Sequence, residues 1–215
     1  MKVGTDGVLL GAWARVEHCS RVLDMGTGTG LVALMIAQRS GAHIVAIDLD
    51  ADAVAQAAEN VEASPWSGRI QVVEADARTI SDSQPFDAIL CNPPFFENAL
   101  KSPDAARTMA RHTDTLSFDE LTRSAARLLA PEGELSVVIP YDRTQDMTVS
   151  AACCGLFVTR QTIVVPVEGG KPKRILMSFT REGASHAVET LCIHDAQRHY
   201  TSEYVRLVKE FYLKM

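Results

Sequence analysis

Residues 22–31 read Val22-Leu23-Asp24-Met25-Gly26-Thr27-Gly28-Thr29-Gly30-Leu31. The run Arg21-Val22-Leu23-Asp24-Met25 has the length and apolar character of a first strand. From about Leu31, the stretch Leu31-Val32-Ala33-Leu34-Met35-Ile36-Ala37 is apolar nearly all round, which is the pattern of a buried helix. Between them Gly26, Gly28 and Gly30 alternate. Glycine lacks Cβ and tolerates positive φ, so such a turn brings backbone close to a ligand at a helix N-terminus. A dinucleotide-binding turn leaves two residues between its second and third glycines, and here Leu31 occupies the third place. The acidic Asp24 precedes the turn. A pyrophosphate has no obvious use for that carboxylate, whereas a cationic amino-acid moiety does.

Outward from this turn, short apolar runs alternate with helical patterns, the signature of an α/β domain with a mainly parallel sheet. His43–Asp48 predicts a second strand, and the next helix has Asp50 as cap with Val54, Ala57, Ala58 and Val61 on one face. Ile70–Val73, Phe86–Cys91 and Glu134–Ile139 predict further strands, and Ser117 with Glu120 has capping-box spacing before an apolar helical stripe. Beyond Pro140, Leu156–Val165 and Arg174–Thr180 are strand-like and joined by a segment too short for a crossover helix. They predict an antiparallel hairpin at one edge of the sheet. Val188–Ile193 is a further strand candidate, and a terminal helix carries Tyr204, Val208, Phe211 and Tyr212. The expectation is one Rossmann-like α/β domain over residues 1–215, with a mainly parallel seven-stranded sheet, the antiparallel edge hairpin and helices on both faces.

Composition narrows the classes. The chain has 215 residues, 47% of them hydrophobic and 22% charged, which suits one domain with a sizeable core and excludes collagen-like and disordered classes. No apolar run reaches bilayer-spanning length and the N-terminus has no signal-peptide shape, so a cytoplasmic protein without membrane partners is expected. The five cysteines form no CxxC pair and the six histidines no paired ligand spacing, so reduced, mostly buried thiols and no metal are expected. Charge is uneven: residues 1–159 carry 12 basic and 21 acidic side chains, residues 160–215 carry 9 and 6. An acidic total argues against an indiscriminate nucleic-acid coat, yet a local basic face still attracts phosphate.

Asp48 and Asp76 follow successive strands, on the face where open α/β sheets bind ligands. With Asp24 and the alternating glycines, the pattern resembles the first motifs of class I S-adenosylmethionine-dependent methyltransferases. That resemblance implies a cofactor site of Asp24, Gly26, Thr27, Gly28 and Gly30, with Asp48 and Leu49 at the ribose and Asp76 and Ala77 at the adenine. A nicotinamide oxidoreductase is the more distant alternative. Asn92-Pro93-Pro94-Phe95-Phe96 follows the fourth strand. Successive prolines fix φ and remove N–H donors, so carbonyl oxygens are left free to accept. The Asn92 oxygen and the Pro93 carbonyl could take both hydrogens of a planar exocyclic amine. That frees its lone pair for attack on a sulfonium methyl, without a metal or a strong base. Phe95 could stack on the target ring. The motif resembles the N-P-P-aromatic signature of amino-methyltransferases acting on adenine, cytosine, guanine or a glutamine amide, and does not choose among them.

The choice comes from longer matches. Lys2-Val3-Gly4-Thr5-Asp6-Gly7 leading to Leu9-Leu10-Gly11-Ala12-Trp13, Ala58-Glu59-Asn60 with Ser64-Pro65-Trp66, and Tyr200-Thr201-Ser202-Glu203-Tyr204 with Phe211-Tyr212-Leu213 resemble the bacterial tRNA1(Val) adenine methyltransferase family. The resemblance implies methylation of N6 of the adenosine next to the anticodon, position 37, with S-adenosyl-L-methionine as cofactor and tRNA as substrate. It implies no obligate protein partner, and it places Thr5 and Asp6 in a loop beside the cofactor. Members of this family usually begin well before the equivalent of Met1, with an aromatic-rich segment, so by the resemblance that segment is expected to be missing here. Lys171, Lys173 and Arg174 in the hairpin, and Arg107, Arg111 and His112 after the catalytic motif, are candidate tRNA contacts. The competing expectations are transfer to ribosomal RNA guanine or adenine, or to a protein glutamine, and a catalytically silent RNA-binding module.

Overall fold

The computed structural model describes residues 4–93, 116–183 and 187–213. Strand β1 (Arg21–Met25) lies at the centre of the sheet, with β2 (His43–Asp48) on one side and β4 (Phe86–Cys91) on the other, both parallel to it. β3 (Ile70–Glu74) extends the β2 side and β5 (Leu129–Pro140) the β4 side, again parallel. β7 (Arg174–Thr180) then pairs antiparallel with both β5 and β6 (Phe157–Val167), and β8 (Ala187–His194) lies parallel to β6. The spatial order is β3-β2-β1-β4-β5-β7-β6-β8.

The antiparallel hairpin is therefore inside the sheet, which among the described residues has eight strands where seven were expected. The free edge of β6 is covered by β8, whose first half is exposed on both faces, so its sequence lacks the alternation that marks a half-buried strand.

Successive residues of each strand point to opposite faces, and each face buries its own core. On one face Val22, Ile44, Leu90, Val138 and Leu176 pack with α1 (Thr5–Trp13), α2 (Leu31–Arg39), the Val61 end of α3 (Ala51–Glu62) and α6 (Ser202–Val208). On the other, Leu23, Met25, Ile47, Ile89 and Val137 pack with α4 (Phe118–Leu128) and α5 (Thr144–Cys153). The caps read from sequence are formed: Asp50 accepts from the N–H groups of Asp52 and Ala53, and Ser117 and Glu120 close the reciprocal capping box.

Residues Thr5–Trp13 form a helix, so Thr5 and Asp6, expected in a loop, stand in its first turn. Every residue from Gly7 to Trp13 is buried, so no polar face remains to give the segment an amphipathic signature. Its close packing on α2 depends on Gly11, where a Cβ would sit 2.8 Å from the Met35 sulfur. The terminal helix ends at Val208 and continues as a 3-10 turn over Lys209–Phe211, with Tyr204 and Val208 buried and Tyr212 exposed. The five thiols are free, and Cys91 alone is fully buried, while Cys153 is exposed. No described helix is long and apolar enough to cross a membrane.

Candidate functional site

The order of strands reverses between β1 and β4, and in open α/β sheets the crevice beyond that point is the ligand site. A cavity of about 470 Å³ opens there, within the range of small-molecule sites. Its wall is built from the C-terminal ends of β1, β2, β3 and β4 and from the first turn of α1.

The Gly-rich turn is held by main-chain bonds across the sheet, since Gly26 and Thr27 both donate N–H to the Ile47 carbonyl, at 2.9 and 2.8 Å. Gly26, Gly28 and Gly30 all have positive φ, from 57° to 80°, which accounts for glycine at each. Gly26, Thr27 and Gly28 face the cavity. Gly30 instead supports the turn from behind, because a Cβ there would lie 3.4 Å from the Cβ of Ala57 on α3. The same helix reaches over the turn through Asn60, whose amide donates to the Thr29 carbonyl at 2.9 Å.

Asp24 does not line the cavity. It is buried beneath the turn, and Oδ2 accepts from the Thr27 hydroxyl at 2.6 Å and from the Ala33 N–H at 3.1 Å. Burial pushes its carboxyl up to about 6, against the two hydrogen bonds that favour the charged form and with Asp48 adding repulsion. The folded state thus holds the proton more tightly than the unfolded chain, and this group's contribution to stability falls as pH rises from about 4 to about 6. Asp24→Asn is expected to remove that slope. Melting temperatures measured across this window should show the wild type losing ground to the variant as pH rises, and parallel curves would contradict the burial of an ionisable carboxyl.

Asp48 faces the cavity and ties two turns together: Oδ2 accepts from Gly28 N–H at 2.8 Å and Oδ1 from Asp50 N–H at 3.0 Å. A carboxylate offers about four acceptor positions, so capacity remains for a vicinal diol. Leu49 beside it is 45% exposed, an apolar side chain at the rim, while Met25 and Ile47 form the floor. Asp76 and Ala77 line the cavity past the end of β3, next to Ala75, whose N–H donates to the Asp48 carbonyl at 3.0 Å. Asp76 is already engaged, because the Arg78 side chain donates to both its oxygens at 2.7–2.9 Å and the Arg78 N–H to Oδ1 at 2.9 Å. These bonds hold its carboxyl below the usual range. Arg78 itself lines the cavity and also approaches Glu120 at 3.7 Å. The sequence reading missed it, although Asp-x-Arg just past a strand is the spacing of a side chain that turns back on its own Asx turn.

Asn92 and Pro93 line the cavity at the end of β4. The Asn92 amide nitrogen lies toward α1, 3.7 Å from where a Gly7 Cβ would stand. Pro94 and Phe95, with Arg107, Arg111 and His112, fall outside the described residues. Thr5 is exposed at the start of α1 and does not line the cavity, whereas Asp6 does. Asp6 pairs with Arg174 Nε at 2.8 Å, so Arg174, a candidate tRNA contact in the hairpin, stands in the cavity wall at the start of β7. Lys171 and Lys173 are exposed on the β6–β7 turn. No group of three or more His, Cys, Asp or Glu side chains among the described residues is arranged to hold a metal ion.

The methyltransferase small domain family matches residues 7–152. A protein of Bacteroides fragilis named tRNA1(Val) (adenine(37)-N6)-methyltransferase is 49% identical over 218 residues, covering 100% of this chain and 92% of its own length. Proteins of the same name from Phocaeicola vulgatus and Tolumonas auensis are 49% and 43% identical, covering all of this chain and 92% and 91% of theirs. Among solved structures, a predicted O-methyltransferase from Agrobacterium tumefaciens superposes with a TM-score of 0.72 at 20% identity, covering 95% of this chain and 96% of that one. A glycopeptide N-methyltransferase in complex with S-adenosylmethionine gives 0.57 at 14% identity, over 85% and 90% of the two chains.

Proposed function

The chain belongs to the family of bacterial tRNA1(Val) (adenine(37)-N6)-methyltransferases, built on the methyltransferase small domain, and from that premise we propose how its residues perform the reaction. Residues 1–215 act as one S-adenosylmethionine-dependent domain that methylates N6 of the adenosine at position 37, beside the anticodon of tRNA1(Val). A tRNA substrate makes it a cytoplasmic protein.

The observation that carries the site assignment is the convergence of Asp48, Asn92 and Pro93 on one cavity beneath a Gly-rich turn. When bound, S-adenosylmethionine supplies a methyl group on a positively charged sulfur, and everything else is positioning. Gly26, Thr27 and Gly28 line the amino-acid end, and Asp24 acts there through Thr27, whose hydroxyl it orients. Asp48 accepts the ribose hydroxyls, with Leu49 and Ala77 flanking the base. Asp76 takes the adenine amine by sharing acceptor positions that Arg78 now fills.

Asn92 Oδ1 and the Pro93 carbonyl accept the two hydrogens of the target amine. They draw its lone pair out of conjugation and aim it at the methyl carbon. Pro93 suits this role because its ring removes the competing N–H donor. The Asn92 nitrogen faces α1, which leaves the oxygen arm for the substrate. Pro94 and Phe95 complete the motif in the sequence, and Phe95 is the residue assigned to stack on the target base, as a flipped-out nucleotide requires. This chemistry calls on no metal ion, because the electrophile is already activated and the nucleophile is neutral. Lys171 and Lys173 contact RNA phosphates, which support affinity more than choice of target.

The test is incubation of the purified protein with undermodified total tRNA and methyl-labelled cofactor, followed by nucleoside analysis. Label in N6-methyladenosine of a valine tRNA is expected. Label chiefly in ribosomal RNA or in protein glutamine would overturn the target.

A further inference from the structure

β6 runs antiparallel to β7, which runs antiparallel to β5, so β5, β6 and β8 all end on the edge of the sheet that carries the cavity. Three turns therefore line up there: the end of β5 at Tyr141, the β6–β7 turn with Lys171 and Lys173, and the loop that leaves β8 at His194. They are bonded to one another, with Tyr141 N–H donating to the Lys173 carbonyl at 3.1 Å and Glu168 N–H to the His194 carbonyl at 2.9 Å.

The loop after β8 is tightly built. Asp195 accepts from the N–H groups of Gln197 and His199 at 2.9 and 2.8 Å, and His194 and Tyr200 close it as an antiparallel bridge. The Tyr200 ring stacks with His194 at 4.7 Å and with Tyr204 at 5.2 Å, which anchors the loop on the buried stripe of α6. At its tip Arg198 has φ 70°, the one positive φ on a non-glycine among the described residues. Glycine or asparagine would hold that conformation more cheaply, so the backbone gives no reason for arginine there.

Arg198 is exposed, and among the described residues its guanidinium makes no hydrogen bond or ion pair, nor do the ammonium groups of Lys171 and Lys173. Arg21, Arg39, Arg69, Arg127 and Arg181 are tied to carboxylates or carbonyl oxygens, and Arg15, Arg123 and Arg206, exposed like Arg198, lie after α1, on α4 and on α6 and not on these three turns. The described acids on these turns are Asp142, Glu168 and Asp195, and Asp195 spends its carboxylate on its own loop. We propose that the 195–199 loop is an RNA-binding arm, in which Arg198 extends the Lys171–Lys173 contact and grips the sugar–phosphate backbone of the tRNA whose adenosine enters the cavity. Arg174 in the cavity wall is level with Leu191 two strands away, and β8 ends three residues further on, about 14 Å from Arg174, so the arm meets nucleotides flanking the target and not the target itself. This assignment rests on the tRNA reading above.

The experiment compares wild type with Arg198→Gly, Arg198→Asn and Arg198→Glu for binding of undermodified tRNA across a salt series, with melting temperature, cofactor affinity and kcat measured alongside. Glycine and asparagine tolerate the positive φ, so these two variants should melt at or above the wild-type temperature. Both should bind tRNA about 3- to 10-fold more weakly, as loss of one phosphate contact implies, and Arg198→Glu more weakly still. The slope of log affinity against log salt should become shallower by about 0.7–0.9, while cofactor affinity and kcat stay unchanged. Unaltered tRNA affinity and salt slope in all three variants would overturn the arm. Wild type that binds tRNA without transferring methyl would instead sink the methyl-transfer reading, and the affinity comparison would still decide the arm.

Discussion

Asn92→Ala should lower kcat for methyl transfer by about 10²- to 10³-fold, the scale seen when one preorganised hydrogen-bonding group is removed from a reacting centre. Cofactor affinity should change little, because Asn92 stands at the end of β4, away from the Asp48 end of the cavity. The variant loses the acceptor that holds one amine hydrogen, and Pro93 alone cannot draw the lone pair out of the ring. Loss of kcat with nearly unchanged cofactor dissociation is the pattern of a group that acts in the transition state. Single-turnover transfer at saturating tRNA, with cofactor titration by calorimetry, separates the two. If both fall together, Asn92 is a packing residue beside Gly7 and Leu31, and the assignment of the amine clamp fails.

Asp48→Ala is expected to weaken cofactor binding by about 10- to 100-fold, since hydrogen bonds to a charged group contribute about 1.5–3 kcal/mol. Two effects combine in that figure. The ribose loses its acceptor, and the N–H groups of Gly28 and Asp50 lose theirs. A cofactor analogue lacking the ribose hydroxyls distinguishes them. Wild type should discriminate against the analogue, Asp48→Ala should not, and Asp48→Asn, which keeps one oxygen, should fall between. Equal discrimination by all three proteins would leave Asp48 as a support of the turn and remove it from the ribose.

Much of the fold lies in patterns that a few neighbouring residues complete. The β1 run, the alternating glycines and the apolar helix after them need no distant contact to be recognised, and neither do the Asp50 cap or the Ser117–Glu120 box. Where burial removes the pattern, recognition fails. Helix α1 is hidden because Gly7 to Trp13 are all inside, and α5 because its sequence is mostly small and polar with only Met147 and Ala151 buried. The cysteines went the same way, since only tertiary packing decides that Cys91 is enclosed and Cys153 exposed.

The candidate site divides along the same line. Its family, cofactor class and the string Asn92-Pro93 are legible in residue order, because strand ends in an α/β sheet converge on one edge whatever the intervening loops do. Two features came only from the folded chain, Arg174 in the cavity wall and Asp24 beneath the turn, whereas Arg78 over Asp76 is a contact between near neighbours whose spacing carried a signal. The Asp6–Arg174 pair joins residues 168 positions apart, so neither residue's neighbours announce the other. Local sequence therefore determined the strands of the parallel half, the capped helices and the motifs at the strand ends. The packing of β7 beside β5 decided which charges face the cavity, because electrostatic partnership depends on distance through space and only the closed sheet sets that distance.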